Sequence, residues 1–167
     1  MPANIFSNSI KNWDNKTWLS SLSYIRIFNK FLIKNAKLNR TAKIVDIGCG
    51  RGKILGHLHD KLKLETIPLG IDLESHKDRD KRFNFKQIDA LTFFKKNNEH
   101  FDLILIKQTI HLFKIIKIKK LLKLCRNKLN QKGKIIILTL DPDHNQIPTF
   151  PLMAQQLKIS LERDKKI

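Results

Sequence analysis

The sequence predicts an α/β fold built on a doubly wound, mainly parallel sheet, and three observations carry that prediction. From residue 42 onward, short apolar runs alternate with segments of helical period. The downstream ends of those runs carry acids, glycines or other polar residues, where an open parallel sheet places its ligand. The 167 residues show no internal repeat and no linker-like stretch, and their length suits one core.

The elements follow in chain order. "KTWLSSLSYIRIFNKFLIKNA" puts Trp18, Leu22, Ile25, Phe28 or Asn29, and Leu32 at helical spacing, predicting an amphipathic helix over 16–36. Residues 1–14 read as a loosely ordered lead, and Trp13 and Trp18 as packing of the helix onto the domain. "AKIVDIG" is a strand of the continuous apolar kind that is buried on both faces. "RGKILGHLHDKL" is helical, "TIPLGIDLE" is a second strand and "RFNFKQIDA" a third, alternating one. "LTFFKKNN" is a short helix and "FDLILIK" a fourth strand. "LFKIIKIKKLLKLCRNKL" predicts a helix over 112–129 with Leu112, Ile115 or Ile116, Leu122, Cys125 and Leu129 on one face. "GKIIILTL" is a fifth strand, and "PTFPLMAQQLKISLERDKK" a closing helix. One domain over 1–167 is expected: a lead and helix to residue 41, a core over 42–140, and a loop and helix over 141–167.

Composition bounds the class. Forty-one per cent hydrophobic and 29% charged is ordinary for a globular chain. No apolar run reaches the roughly 18 residues of a membrane span, and the opening residues lack the pattern of a signal peptide. Cys49 and Cys125 lie in unlike contexts without metal spacing, so free thiols and a cytoplasmic location are expected. The net charge of +18 admits RNA as a partner. The plain alternative is a lysine-rich coding bias, since lysine outnumbers arginine and isoleucine and asparagine are abundant too. From Leu103 to Leu140 there are ten Lys or Arg and no acid, with Lys114, Lys117, Lys119, Lys120, Lys123, Arg126 and Lys128 on the long helix. That face reads as a phosphate-tracking surface or as a solvated one.

The chemistry starts at "IVDIGCGRGKIL", where four of the six glycines fall between 48 and 56. A phosphate-cradling loop needs a glycine at Ile47 and a hydroxyl at Ile54, and both fail. A dinucleotide fingerprint needs its third glycine at Lys53 or Leu55, and that spacing fails as well. What remains is an acid followed by glycines at every second position: Asp46, Gly48, Gly50 and Gly52. Glycines let the backbone pass close under a ligand and accept positive φ. The helix that follows turns its free N–H groups toward the loop, suiting an anionic group.

"VDIGCGRG" resembles the first motif of the class I S-adenosylmethionine-dependent methyltransferases, and the similarity runs from about residue 42 to 140. The resemblance implies a Rossmann-like sheet of order 3-2-1-4-5 and S-adenosyl-L-methionine as cofactor. It implies that Asp46 organises the loop near the cofactor's amino group, with Cys49 as packing. Asp72 would accept the ribose hydroxyls and Leu73 lie against the adenine; Asp89 would meet the adenine amino group and Ala90 its ring. A strand-end aspartate in water, and a helix cap at Asp89, are the plain alternatives. At "LIKQTIHLF" the resemblance matches Lys107 and Gln108 to a polar pair, Lys107 with its backbone toward the cofactor, and His111 to a histidine. His111 is the candidate catalytic residue, as general base or orienting group, with a polar-network histidine as the alternative.

Absences narrow the reaction. "KQTI" is not the amino-methylating signature expected near Lys107, no Pro-Cys pair offers a cytosine-attacking thiol, and no Cys/His cluster suggests zinc. Direct in-line displacement on the activated methyl remains, with a small-molecule acceptor expected; an RNA methyltransferase and an inactive cofactor-binding module are the alternatives. The family continues past strand five with a helix and two strands, for which the 27 residues after Leu140 leave no room. A five-stranded sheet with strand five at an edge is therefore expected, and a dimer through that edge is one way to cover it.

Overall fold

The computed structural model describes residues 21–139. Helix α1 (Leu22–Ala36) is followed by β1 (Ile44–Ile47), α2 (Lys53–Leu62), β2 (Leu69–Asp72), β3 (Asn84–Gln87), α3 (Ala90–Lys96), β4 (Phe101–Lys107), a 3-10 turn (Ile110–Leu112), α4 (Ile115–Arg126) and β5 (Leu129–Leu138). The five strands pair in the order β3-β2-β1-β4-β5, and every pairing is parallel. The expectations for Trp13, Trp18 and everything after residue 139 lie outside the described residues.

Period-2 alternation divides the core between two faces. Ile44, Leu103 and Leu105 pack with Ile25, Phe28 and Leu32 of α1 and Leu55 and Leu58 of α2. Val45, Ile47, Ile104 and Ile106 pack on the opposite face with Phe93 and Phe94 of α3 and Leu121 and Cys125 of α4. β1 and β4 are the central strands, with β1 buried at all four positions, as a continuous apolar run predicts. Cys49 and Cys125 are both free.

Several boundaries move. α1 starts at Leu22, because Ser21 is extended and its side chain accepts from the Tyr24 N–H at 3.2 Å. β3 is exposed or half-buried throughout rather than alternating, as befits an edge strand. The long helix starts at Ile115, not 112, after the 3-10 turn. Its buried residues are Leu121 and Cys125, whereas Leu112, Ile115 and Ile116 are exposed. β5 starts at Leu129, four residues before the expected strand, through an irregularity opposite Phe101–Leu103. Gly133 permits it: a Cβ there would stand 2.6 Å from the Phe101 carbonyl oxygen. Asp102 ties this end together, accepting from the Lys43 N–H at 2.8 Å and from Asn130 Nδ2 at 2.7 Å.

Candidate functional site

The turn after β1 is fastened to the end of β2. The N–H groups of Gly48 and Cys49 both donate to the Ile71 carbonyl, at 2.8 and 3.2 Å, and the Gly50 N–H donates to Asp72 Oδ2 at 2.8 Å. Gly48, Gly50 and Gly52 have φ of 71°, 53° and 68°, the left-handed region that side chains resist. Space matters as much as angle at two of them. A Cβ on Gly48 would reach to 2.1 Å from Thr109 Oγ1, and one on Gly52 to 1.9 Å from the Phe83 ring. Gly52 also caps α2 without a side-chain hydrogen bond, so the first-turn amides are left to the loop.

Asp46 lies beneath this turn, 2% exposed, between Gly70 of β2 and Leu105 of β4. Its Oδ1 has no hydrogen-bond partner. Burial pushes its pKa up to about 7; the Lys107 charge opposes that shift and the Asp72 charge adds to it. The Lys107 charge is thus near enough to Asp46 to favour its ionised form. Cys49 packs over Gly70 beside Phe83, and burial pushes its thiol far above the usual range, so it has no thiolate character.

Asp72 already accepts twice, from Gly50 N–H and from Glu74 N–H at 3.0 Å. A carboxylate has about four lone-pair sites, which leaves room for further donors. Leu73 beside it is 65% exposed, an apolar side chain presented to the crevice end of β2. Asp89 caps α3: its Oδ2 accepts from the Thr92 N–H at 2.9 Å and Thr92 Oγ1 at 3.0 Å. Ala90 is buried in the core with Phe93 and Phe94.

The β4 end carries more than composition or spacing signals. Gln108 has φ +55°, its N–H donates to the Leu138 carbonyl at 2.7 Å, and its Oε1 is buried without a partner. Thr109 Oγ1 donates to the Lys107 carbonyl at 3.0 Å, and this side chain fills the space beside Gly48. His111 lies on the 3-10 turn rather than on a helix N-terminus, and its Nδ1 is buried and unpaired. Burial lowers its pKa, so the imidazole is neutral at neutral pH. Thr109, Phe83 and Arg51 escape sequence reasoning because their roles are contacts across the chain. The buried Arg51 donates from Nε to both oxygens of Asp78, at 2.8 and 2.7 Å, anchoring the β2–β3 loop to the glycine turn. Arg82 bridges Asp60 and Asp80 from the same loop to α2.

The residues fit a ligand with an ammonium, an anionic end and a diol: an orphaned buried carboxylate oxygen, a glycine turn at a helix start, and a half-satisfied strand-end acid. Among the described residues, no group of His, Cys, Asp and Glu could hold a metal ion, and no helix is long and apolar enough to cross a membrane.

Comparisons with known proteins bear on the family and the fold. A protein-family profile described as a methyltransferase domain matches residues 21–165. No curated protein matches the chain. The plantazolicin methyltransferase BpumL, solved in complex with a pentazolic desmethylPZN analog and SAH, superposes with a TM-score of 0.67 at 25% identity, covering 84% of this chain and 55% of that one. A SAM-dependent methyltransferase from Archaeoglobus fulgidus gives a TM-score of 0.59 at 21% identity over 96% of this chain and 73% of that one. The N-methyltransferase NodS from Bradyrhizobium japonicum gives 0.53 at 17%, over 67% and 60%. The last two show the fold alone, and the chain spans about half the length of BpumL.

Proposed function

The chain belongs to the class I S-adenosylmethionine-dependent methyltransferases, and from that premise we propose that it methylates a small-molecule acceptor by direct in-line displacement. The observation that carries this reading is Asp46: a fully buried carboxylate with an orphaned oxygen beneath a turn of three left-handed glycines. When bound, the cofactor supplies an electrophilic methyl group on a sulfonium and leaves as a thioether.

The chain's own residues position and desolvate. Asp46 Oδ1 would receive the ammonium of the methionine end, and the first-turn amides of α2 its carboxylate. Asp72 would hold the ribose hydroxyls, with Leu73 against the adenine face. Asp89 keeps one oxygen for the adenine amino group while the other caps α3. No covalent intermediate is needed, and Cys49, held as a thiol, does not offer one. His111, neutral and unpaired, is the group able to take a proton. A small acceptor agrees with BpumL, whose structure contains a pentazolic desmethylPZN analog. RNA remains the second reading, favoured by the acid-free run after Asp102.

Calorimetric titration with S-adenosylhomocysteine tests the proposal: saturable one-to-one binding is expected, and folded protein that binds nothing at millimolar ligand refutes it. Asp72→Ala should weaken that binding by about 1–3 kcal/mol, the cost of leaving hydrogen-bonding groups unpaired; an unchanged affinity removes Asp72 from the ribose site. Binding without turnover on any acceptor supports the inactive-module reading.

A further inference from the structure

Strand register gathers three charged side chains on one face of the sheet at the glycine turn. Asp46 of β1 lies in register with Gly70 of β2 and Leu105 of β4. Side chains alternate along a strand, so Asp72 and Lys107, each two residues further on, project from the same face as Gly70 and Leu105. Leu138, the partner of Lys107 on β5, packs on that face too, against the cluster of α1 and α2. Two acids and one cation thus stand on three adjacent strands, with Asp46 on the middle one.

The electrostatics agree with this placement. Lys107 favours the ionised form of Asp46 and Asp72 opposes it, so both charges reach the buried carboxyl. The two acids suit a ligand that carries positive charge. Lys107 works against such a ligand, from a half-buried position at the end of β4, where its carbonyl accepts from Thr109 Oγ1 at 3.0 Å. A site that had only to hold a cation gains nothing from an ammonium on the same face. A site that distinguishes a cation from its neutral counterpart does gain from one.

The proposed reaction presents that choice. S-adenosylmethionine carries a fixed positive charge on sulfur. Transfer breaks the bond between the methyl carbon and sulfur, and both electrons of that bond stay on sulfur, which becomes a neutral thioether. The methyl carbon takes an electron pair from the acceptor, and any proton the acceptor loses goes to solvent. With Asp46 at the ammonium and Asp72 at the ribose, the sulfur lies between the groups those acids hold. Lys107 stands on a strand no more than two spacings, about 10 Å, from either.

We propose that Lys107 sets the charge discrimination of the cofactor site, its ammonium opposing the sulfonium of S-adenosylmethionine and leaving the thioether of S-adenosylhomocysteine unopposed. The inference rests on the methyltransferase reading and adds a residue that weights the site toward its product.

The full chain is titrated calorimetrically with each of the two ligands in the absence of acceptor, and the ratio of their dissociation constants is compared between parent and variants. The ligands share ammonium, carboxylate, ribose and adenine, so a variant's effect on those contacts or on folding cancels in the ratio, and the charge on sulfur is what remains. Lys107→Met, which keeps an apolar stem, should shift the ratio toward S-adenosylmethionine by about tenfold, the scale of two unit charges about 10 Å apart at an effective dielectric of about 20. Lys107→Arg should keep the parent ratio. Sinefungin, with a protonated amine in place of the methyl sulfonium, should follow S-adenosylmethionine. Where Lys107→Met does not fold, Lys107→Gln gives the same comparison. Folded parent that does not bind S-adenosylhomocysteine overturns the methyltransferase reading together with this one. Parent that binds it, with a ratio unchanged in Lys107→Met, shifted equally in Lys107→Arg, or with sinefungin following S-adenosylhomocysteine, overturns the Lys107 assignment alone.

Discussion

Burial holds the Asp46 carboxyl neutral up to a pH of about 7, and that gives the site a pH dependence of definite sign. Between its ordinary 3.8 and 7, the folded chain keeps a proton that the unfolded chain has lost. This group's contribution to stability therefore falls as pH rises through that window, by on the order of 4 kcal/mol in all. Asp46→Asn should remove the slope: the stability difference between variant and parent, measured by urea denaturation, should grow in the variant's favour from pH 4 to 7 and then level off. A difference that stays constant with pH refutes the buried-acid account. In the proposed role, the cofactor's ammonium favours the ionised carboxylate, so S-adenosylhomocysteine should bind more tightly at pH 8 than at pH 6. His111, whose pKa burial lowers, works in the opposite direction and contributes stability that is lost as pH falls below the usual histidine value.

At the scale of elements, the glycine turn and α4 show where local pattern suffices and where it does not. The acid and alternating glycines after an apolar run identify the turn, because left-handed φ and close contacts leave glycine as the fitting residue. α4 is ambiguous by sequence, since leucine and isoleucine occur around much of its circumference. Packing against α3 and the sheet selects Leu121 and Cys125, both fully buried, and leaves Leu112 56% exposed. Leu121→Ala should therefore cost about 2–5 kcal/mol in urea denaturation, whereas Leu112→Ala should change stability by no more than about 0.5 kcal/mol. Equal costs at the two positions contradict this division between Leu121 on α4 and Leu112 on the 3-10 turn before it.

Across the described residues, charge is segregated. The ion pairs Arg40–Glu65, Arg51–Asp78 and Asp60–Arg82–Asp80 all lie before residue 83. From Leu103 onward the described chain has no acid, and Lys119, Lys120, Lys123 and Arg126 are exposed on α4. Such a surface attracts polyanions in a salt-dependent way. Replacing Lys119, Lys120 and Lys123 together with glutamine should bring elution from a heparin column to lower salt, with the folding midpoint unchanged. Unchanged elution shows that this stripe does not carry the protein's attraction for polyanions.

The sequence alone determined the order of strands and helices, the five-stranded parallel sheet and the position of the glycine turn, because each rests on local period or on backbone geometry. It also picked out Asp46 and Asp72, acids at strand ends where polar residues interrupt apolar runs. Only the tertiary structure decided which oxygens are already taken. Asp89 caps α3 and Asp72 holds Gly50, while Asp46, Gln108 and His111 keep buried atoms unpaired. Hydrogen-bond saturation and desolvation depend on groups brought together from distant parts of the chain, such as Thr109 over Gly48 and Phe83 under Gly52. No spacing along the sequence records those contacts.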